Sequence, residues 1–227
     1  MRRSTFRFIV VIFSVVSIGA WTEASTVQAQ QKALDGKAGP GKDITAAPAE
    51  GPEPYFKKAR ESFIKKDMKA AAAEIRKSAA FLKHDEERAA GEGKKDLSAS
   101  THELEKLADD VEKGTVTSGK RLDKAFSHAY YALARYHYWK ASESWSKKAA
   151  KDTGHDLRAA SEDLEHGLAW SGHKAEAGTK AAIKDARHVS GKLIKGTGWV
   201  SSEVGRGIEG IGREIDKFGK EVVPKGW

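Results

Sequence analysis

Apolar residues recur every three or four positions through most of the chain, and this spacing predicts amphipathic α-helices. In the block 54–83, one apolar stripe precedes the dipeptide Lys66-Asp67 and a second stripe follows it. We therefore predict a helical hairpin that turns at this dipeptide. No proline lies between Tyr55 and Val223, so the helices of this region can be long.

Three further helices are predicted, over 95–113, over 119–148 and from about Asp156 onward. Thr153-Gly154 is predicted to separate the last two. Because short connections join these long helices, neighbours are expected to run antiparallel. The fold prediction is an all-α antiparallel helical bundle over residues 55–171, followed by a long C-terminal amphipathic helical segment.

The first hairpin resembles one unit of a known repeat family. Its sequence is ARESFIKKDMKAAAAEIRKSAAFL, which is similar to the helix–turn–helix rhythm of a tetratricopeptide unit. The similarity covers a single unit and lacks the family's tryptophan, glycine and proline positions. Since one unit cannot bury its own apolar face, the stretch predicts a hairpin and not a peptide-binding solenoid.

The pattern changes in residues 172–227, where glycines multiply and the apolar period lengthens to eleven residues. Val189, Val200 and Ile211 illustrate this interval. An eleven-residue period corresponds to three helical turns of about 3.67 residues, which keeps an apolar stripe nearly straight along a helix. Such repeats resemble those of apolipoproteins, synucleins and late-embryogenesis-abundant proteins. The resemblance implies contact with a membrane surface or a partner helix.

Two interpretations of this C-terminal segment remain open. It can dock on a membrane or partner and fold on contact, since its glycines weaken a free helix by about 1 kcal/mol each relative to alanine. Alternatively, it packs on the preceding helices as part of the bundle. The residues predicted to make the membrane or partner contact are Val189, Leu193, Trp199, Val200, Val204, Ile208, Ile211, Ile215 and Phe218.

The N-terminus has the three-part pattern of a secretory signal peptide. Three arginines precede the apolar run 8–20, and small residues at Val27 and Ala29 fit a cleavage site after residue 29. An uncleaved N-terminal anchor is the alternative. Residues 30–54 are rich in proline and glycine and predict a disordered linker. The chain contains no cysteine, so an exported form cannot depend on disulfides.

The charge balance is moderately basic. The whole chain carries a net charge of +8, and residues 1–29 contribute three arginines and one glutamate to it. Segment 172–227 has eleven basic and seven acidic residues, which favours an anionic surface. Nucleic acid is not an expected partner, because basic and acidic residues alternate and export is predicted.

Histidine and aspartate pairs suggest an alternative, metal-binding interpretation. Asp163 and His166 share one helix face, as do Asp185 and His188, and such spacing occurs in carboxylate–histidine metal sites of helical bundles. Phosphate loops, zinc spacings and nucleophile motifs are absent from the sequence, so neither enzymatic activity nor a cofactor is predicted.

The functional prediction is an exported, periplasmic or secreted, non-enzymatic helical protein of the cell envelope. We expect it to act through a protein or membrane-surface interaction, with homo-oligomerisation as a further possibility. The alternative is a metal- or small-ligand-binding helical bundle. A third hypothesis, a stress-type surface protectant, follows from the resemblance to late-embryogenesis-abundant proteins.

Overall fold

The computed structural model describes residues 51–223, which form seven α-helices joined by short turns. The all-α bundle predicted from the sequence is confirmed. The predicted signal peptide and residues 30–50 of the predicted linker lie outside the described residues. The helices are α1 (Glu53–Ile64), α2 (Met68–Arg88), α3 (Gly91–Glu112), α4 (Gly119–Ser146), α5 (Ala150–Ser171), α6 (Ala177–Lys195) and α7 (Ser201–Val222).

The turns follow local chain chemistry. Lys66 adopts a φ of 63° between α1 and α2, where the hairpin turn was predicted, and the Asp67 side chain then caps α2 by accepting from the amide of Ala70. Ser118 caps α4 in the same way by accepting from the Lys120 amide. Each cap satisfies a backbone donor that the first helical turn leaves free.

The predicted break at Thr153-Gly154 is wrong. The chain turns earlier, at Lys147–Ala149. Thr153 and Gly154 both lie inside α5. Gly154 marks a close approach to α6, since a Cβ built there would lie 2.9 Å from the Ser190 carbonyl oxygen. The glycine therefore permits packing and does not end a helix.

Two hydrophobic cores lie on different faces of α4. The first is built from α1, α2, α3 and α4 and contains Phe56, Phe126 and Tyr130. The second is built from α4, α5, α6 and α7 and contains Tyr131 and Phe218. Successive residues of a helix point about 100° apart, which is how Tyr130 and Tyr131 enter different cores.

The C-terminal segment is two helices and not one continuous helix. Gly196 and Gly198 both have a φ of 77°, a left-handed conformation that ends α6 and reverses the chain before α7. The eleven-residue spacing therefore continues across a turn, and the stripe on α6 faces the same core as the stripe on α7.

Candidate functional site

The structure places most of the predicted contact residues inside the bundle. Seven of the nine are at most 7% exposed and belong to the second core. This arrangement matches the alternative in which the segment packs as part of the bundle. The seven residues are Val189, Leu193, Val204, Ile208, Ile211, Ile215 and Phe218.

The other two predicted residues, Trp199 and Val200, lie at one end of the bundle. Val200 is 59% exposed, and the Trp199 ring packs edge-to-face on Trp145 with the ring centroids 5.6 Å apart. The α4–α5 turn and the α6–α7 turn meet here. We call residues 145–151 and 192–200 together the lysine–tryptophan end.

The lysine–tryptophan end has five lysines and no acidic residue in its two segments. Lys147 pairs with Glu143 at 2.6 Å and Lys192 pairs with Glu203 at 2.7 Å, both acids lying just outside the segments. The remaining three have no ion pair among residues 51–223. They are Lys148, Lys151 and Lys195, and all three are exposed.

Helix electrostatics explain only some of these lysines. Lys195 lies in the last turn of α6 and Lys148 just beyond α4, where a positive charge complements the helix dipole. Lys151 lies in the first turn of α5, where a positive charge is unfavourable. The cluster is therefore not accounted for by helix stability alone.

The four predicted metal-ligating residues do not come together in one site. Asp163 Oδ2 lies 2.7 Å from His137 Nδ1, and the His166 ring stacks on Tyr130 with centroids 5.1 Å apart. On α6, Asp185 and His188 line a groove between α6 and α7. Across residues 51–223, no group of three or more histidine and acidic side chains converges to hold a metal ion.

Glu53 joins the start of α1 to α4 and α5. Its Oε2 accepts hydrogen bonds from the Tyr130 hydroxyl at 2.7 Å and from the Trp170 indole N–H at 2.9 Å, and His166 lies 3.7 Å away. Burial works to raise the pKa of this carboxyl, but the bonds from Trp170 and Tyr130 outweigh it, so the pKa lies below its ordinary value. Glu53 is therefore charged at neutral pH.

His128 is 1% exposed and joins three helices. Its Nδ1 lies 2.8 Å from Glu103 Oε2 on α3, and its Nε2 lies 2.6 Å from the carbonyl oxygen of Val222 at the end of α7. The carboxylate and the carbonyl are both hydrogen-bond acceptors, and one lies against each nitrogen of the ring. Sequence reasoning did not find this role, because the partners lie 25 and 94 residues away.

His137 ties α4 to α5 and gives the bundle a pH dependence. Burial acts to lower the pKa of the imidazole, but the hydrogen bond and charge of Asp163 outweigh burial and raise the pKa above its ordinary value. The folded state thus binds this proton more tightly than the unfolded state. The resulting stabilisation is complete below the unfolded pKa of about 6.5 and is lost as pH rises through the folded pKa.

We expect the His137→Gln variant to lose this component of the pH dependence. Urea unfolding of the wild type and the variant across about pH 5 to 9 measures it. The difference in free energy of unfolding between the wild type and His137→Gln should be largest at acidic pH and should shrink as the pH rises. His155→Gln, which alters an exposed histidine of α5, is the control. A difference that does not change with pH would contradict the assignment.

None of the helices in residues 51–223 combines the length and apolarity needed to cross a membrane. Two candidate sites stand out among the described residues, the lysine–tryptophan end and the polar side chains around Glu53. Comparison with known protein families, with curated protein sequences and with solved structures found no match to this chain.

Proposed function

We propose that this protein is an exported, non-enzymatic component of the cell envelope that binds anionic membrane surfaces through its lysine–tryptophan end. The observation that carries the proposal is the exposed Val200 and the Trp145–Trp199 pair beside Lys148, Lys151 and Lys195. The signal-peptide pattern of residues 1–29 supports export. The lack of catalytic motifs in the sequence supports a non-enzymatic role.

The chemistry of the lysine–tryptophan end suits a lipid headgroup region. Tryptophan partitions to the membrane–water boundary because its ring is apolar while its indole N–H can still bond to water or a headgroup. Each lysine near an anionic membrane contributes about 1 kcal/mol of attraction. A single exposed apolar residue would bind lipid only weakly, so the combination with three unpaired lysines is what favours an anionic surface.

In this proposal the apolar stripe of α6 and α7 has a supporting role. Leu193 and Val204, on either side of the turn, are fully buried in the second core and fix where the intervening residues lie. Trp199 and Val200 are thereby held at the surface next to the α4–α5 turn. The contact region is preorganised, and binding does not require the stripe to leave the bundle.

The test uses protein that begins at residue 30. Its binding to lipid vesicles is measured by co-sedimentation. Vesicles of phosphatidylglycerol and phosphatidylcholine should bind it, and pure phosphatidylcholine should bind it far less. The double variant Lys148→Gln/Lys195→Gln removes two charges and should weaken binding about 30-fold, equivalent to about 2 kcal/mol. Trp199→Ser should weaken binding to both kinds of vesicle.

The opposite end of the bundle provides matched controls. Lys113 and Lys174 are exposed and have no ion pair within residues 51–223, so Lys113→Gln/Lys174→Gln removes the same charge elsewhere. Ile64, which is 65% exposed, provides Ile64→Ser as the control for an apolar substitution. Equal loss of binding in the two double variants would reduce the effect to net charge and overturn the proposed site.

A further inference from the structure

A cleft beside Glu53 is the second feature that the fold builds with polar side chains. It has a volume of about 380 Å³ and lies between the start of α1 and helices α2, α4 and α5. Phe81, Leu133 and Ala159 contribute apolar walls. Cavities of about 300–1,000 Å³ hold small organic molecules, so this Glu53 cleft has room for a compact one.

The charge in the Glu53 cleft is negative. Glu53, Glu162 and Asp163 line it, while no lysine or arginine is among its lining residues. Asp163 is paired with His137, and Lys57 lies 3.3 Å from Oε1 of Glu53 on the outer side. Glu162 is exposed and has no ion pair in the described part of the chain. One carboxylate is therefore free to pair with a cation that enters.

Aromatic rings are a second feature of the Glu53 cleft that favours a cationic ligand. The Tyr130 hydroxyl is engaged by Glu53, and its ring stacks on His166 at the cleft wall. Phe81 contributes another ring from α2. Because His166 covers the face of Tyr130, the attraction that an aromatic face exerts on an organic cation comes from Phe81. Metal ions are less suited, because no three ligating side chains converge within residues 51–223.

We infer that the Glu53 cleft binds a small organic amine, with the ammonium group near Glu162 and a short apolar body between Phe81, Leu133 and Ala159. An anion would meet the carboxylates, and a neutral molecule would leave Glu162 without a partner. The site is separate from the lysine–tryptophan end. The inference therefore does not depend on the proposed membrane function.

Isothermal titration calorimetry with three probes of nearly equal size tests the ligand class. 2-Phenylethylamine should bind with a dissociation constant on the order of 0.1–1 mM, as expected for a ligand of this size. 2-Phenylethanol and 3-phenylpropionate, which are neutral and anionic, should bind at least tenfold more weakly. Equal affinity for the amine and the alcohol would overturn the inference, and so would absence of amine binding.

Two substitutions locate the binding in the cleft. Glu162→Gln removes the unpaired carboxylate at an exposed position and should weaken amine binding severalfold without unfolding the protein. Ala159→Trp should fill the cleft and abolish binding. Glu165→Gln, one turn along α5 and paired with Arg187 at 2.6 Å, is the matched control and should bind like the wild type. Unchanged binding in Glu162→Gln, or equal loss in Glu165→Gln, would overturn the site.

Discussion

Replacing His128 by leucine is expected to lower the free energy of unfolding by about 2–4 kcal/mol. The His128 ring is buried, and its two nitrogens lie within hydrogen-bond distance of the Glu103 carboxylate and the Val222 carbonyl, which joins α3, α4 and the end of α7. Hydrogen bonds to charged groups contribute about 1.5–3 kcal/mol each. Leucine preserves most of the volume, so the loss reports the polar interactions and not a cavity.

Urea unfolding monitored by far-UV circular dichroism measures this effect. His155→Leu is the control, because His155 is exposed and has no ion pair or hydrogen bond within the described residues. Glu103→Gln should destabilise less than His128→Leu, since Glu103 retains 32% exposure and glutamine can still accept a hydrogen bond. A His128→Leu variant as stable as His155→Leu would show that the contacts to Glu103 and Val222 do not stabilise the bundle.

The second large effect concerns two glycines of α7 that differ only in what they face. A Cβ built at Gly219 would overlap the Tyr131 ring, whereas a Cβ at Gly210 would meet nothing within 4 Å. Gly219→Ala is therefore expected to destabilise the bundle by about 1–3 kcal/mol, because Tyr131 is buried and the second core is already packed. Gly210→Ala should stabilise it by about 0.5–1 kcal/mol through helix propensity.

Gly219→Ala and Gly210→Ala add the same methyl group to the same helix. The difference between the thermal unfolding midpoints of the two variants therefore reports the packing around each position. Gly212→Ala should resemble Gly219→Ala, since its Cβ would lie 2.7 Å from the Tyr138 ring. Gly205→Ala should resemble Gly210→Ala. If all four alanines stabilised the protein alike, α7 would not pack on α4 as described.

Much of the bundle was predictable because apolar periodicity is a local signal. The hairpin turn at Lys66-Asp67 and the start of a helix at residue 119 were both predicted, and the structure confirms them. The prediction of helix ends from glycine positions was less successful. Glycine ends α6 at Gly196, yet inside α5 at Gly154 and inside α7 at Gly219 it permits close packing. The sequence does not distinguish these uses, because the neighbour that decides them is distant along the chain.

The candidate sites were less predictable for the same reason. Trp199 and Val200 were expected to make contacts, but their companions in the α4–α5 turn are about fifty residues earlier. The Glu53 cleft depends on a contact to Trp170, which is 117 residues away. Such pairings follow from the order in which antiparallel helices pack, and composition and spacing do not encode that order.

The position of α4 between two cores has a consequence for how the chain folds. Neither core can close until residues 119–146 are helical, since both use that helix. When the chain emerges from its N-terminal side first, the helices α1, α2, α3 and α4 are all available well before α7. The first core can therefore assemble while the second core still lacks α7. During that interval the apolar faces of α4 and α5 are open to water, and the folding chain is then most prone to self-association. The docking of the glycine-rich helix α7 thus determines when this exposure ends.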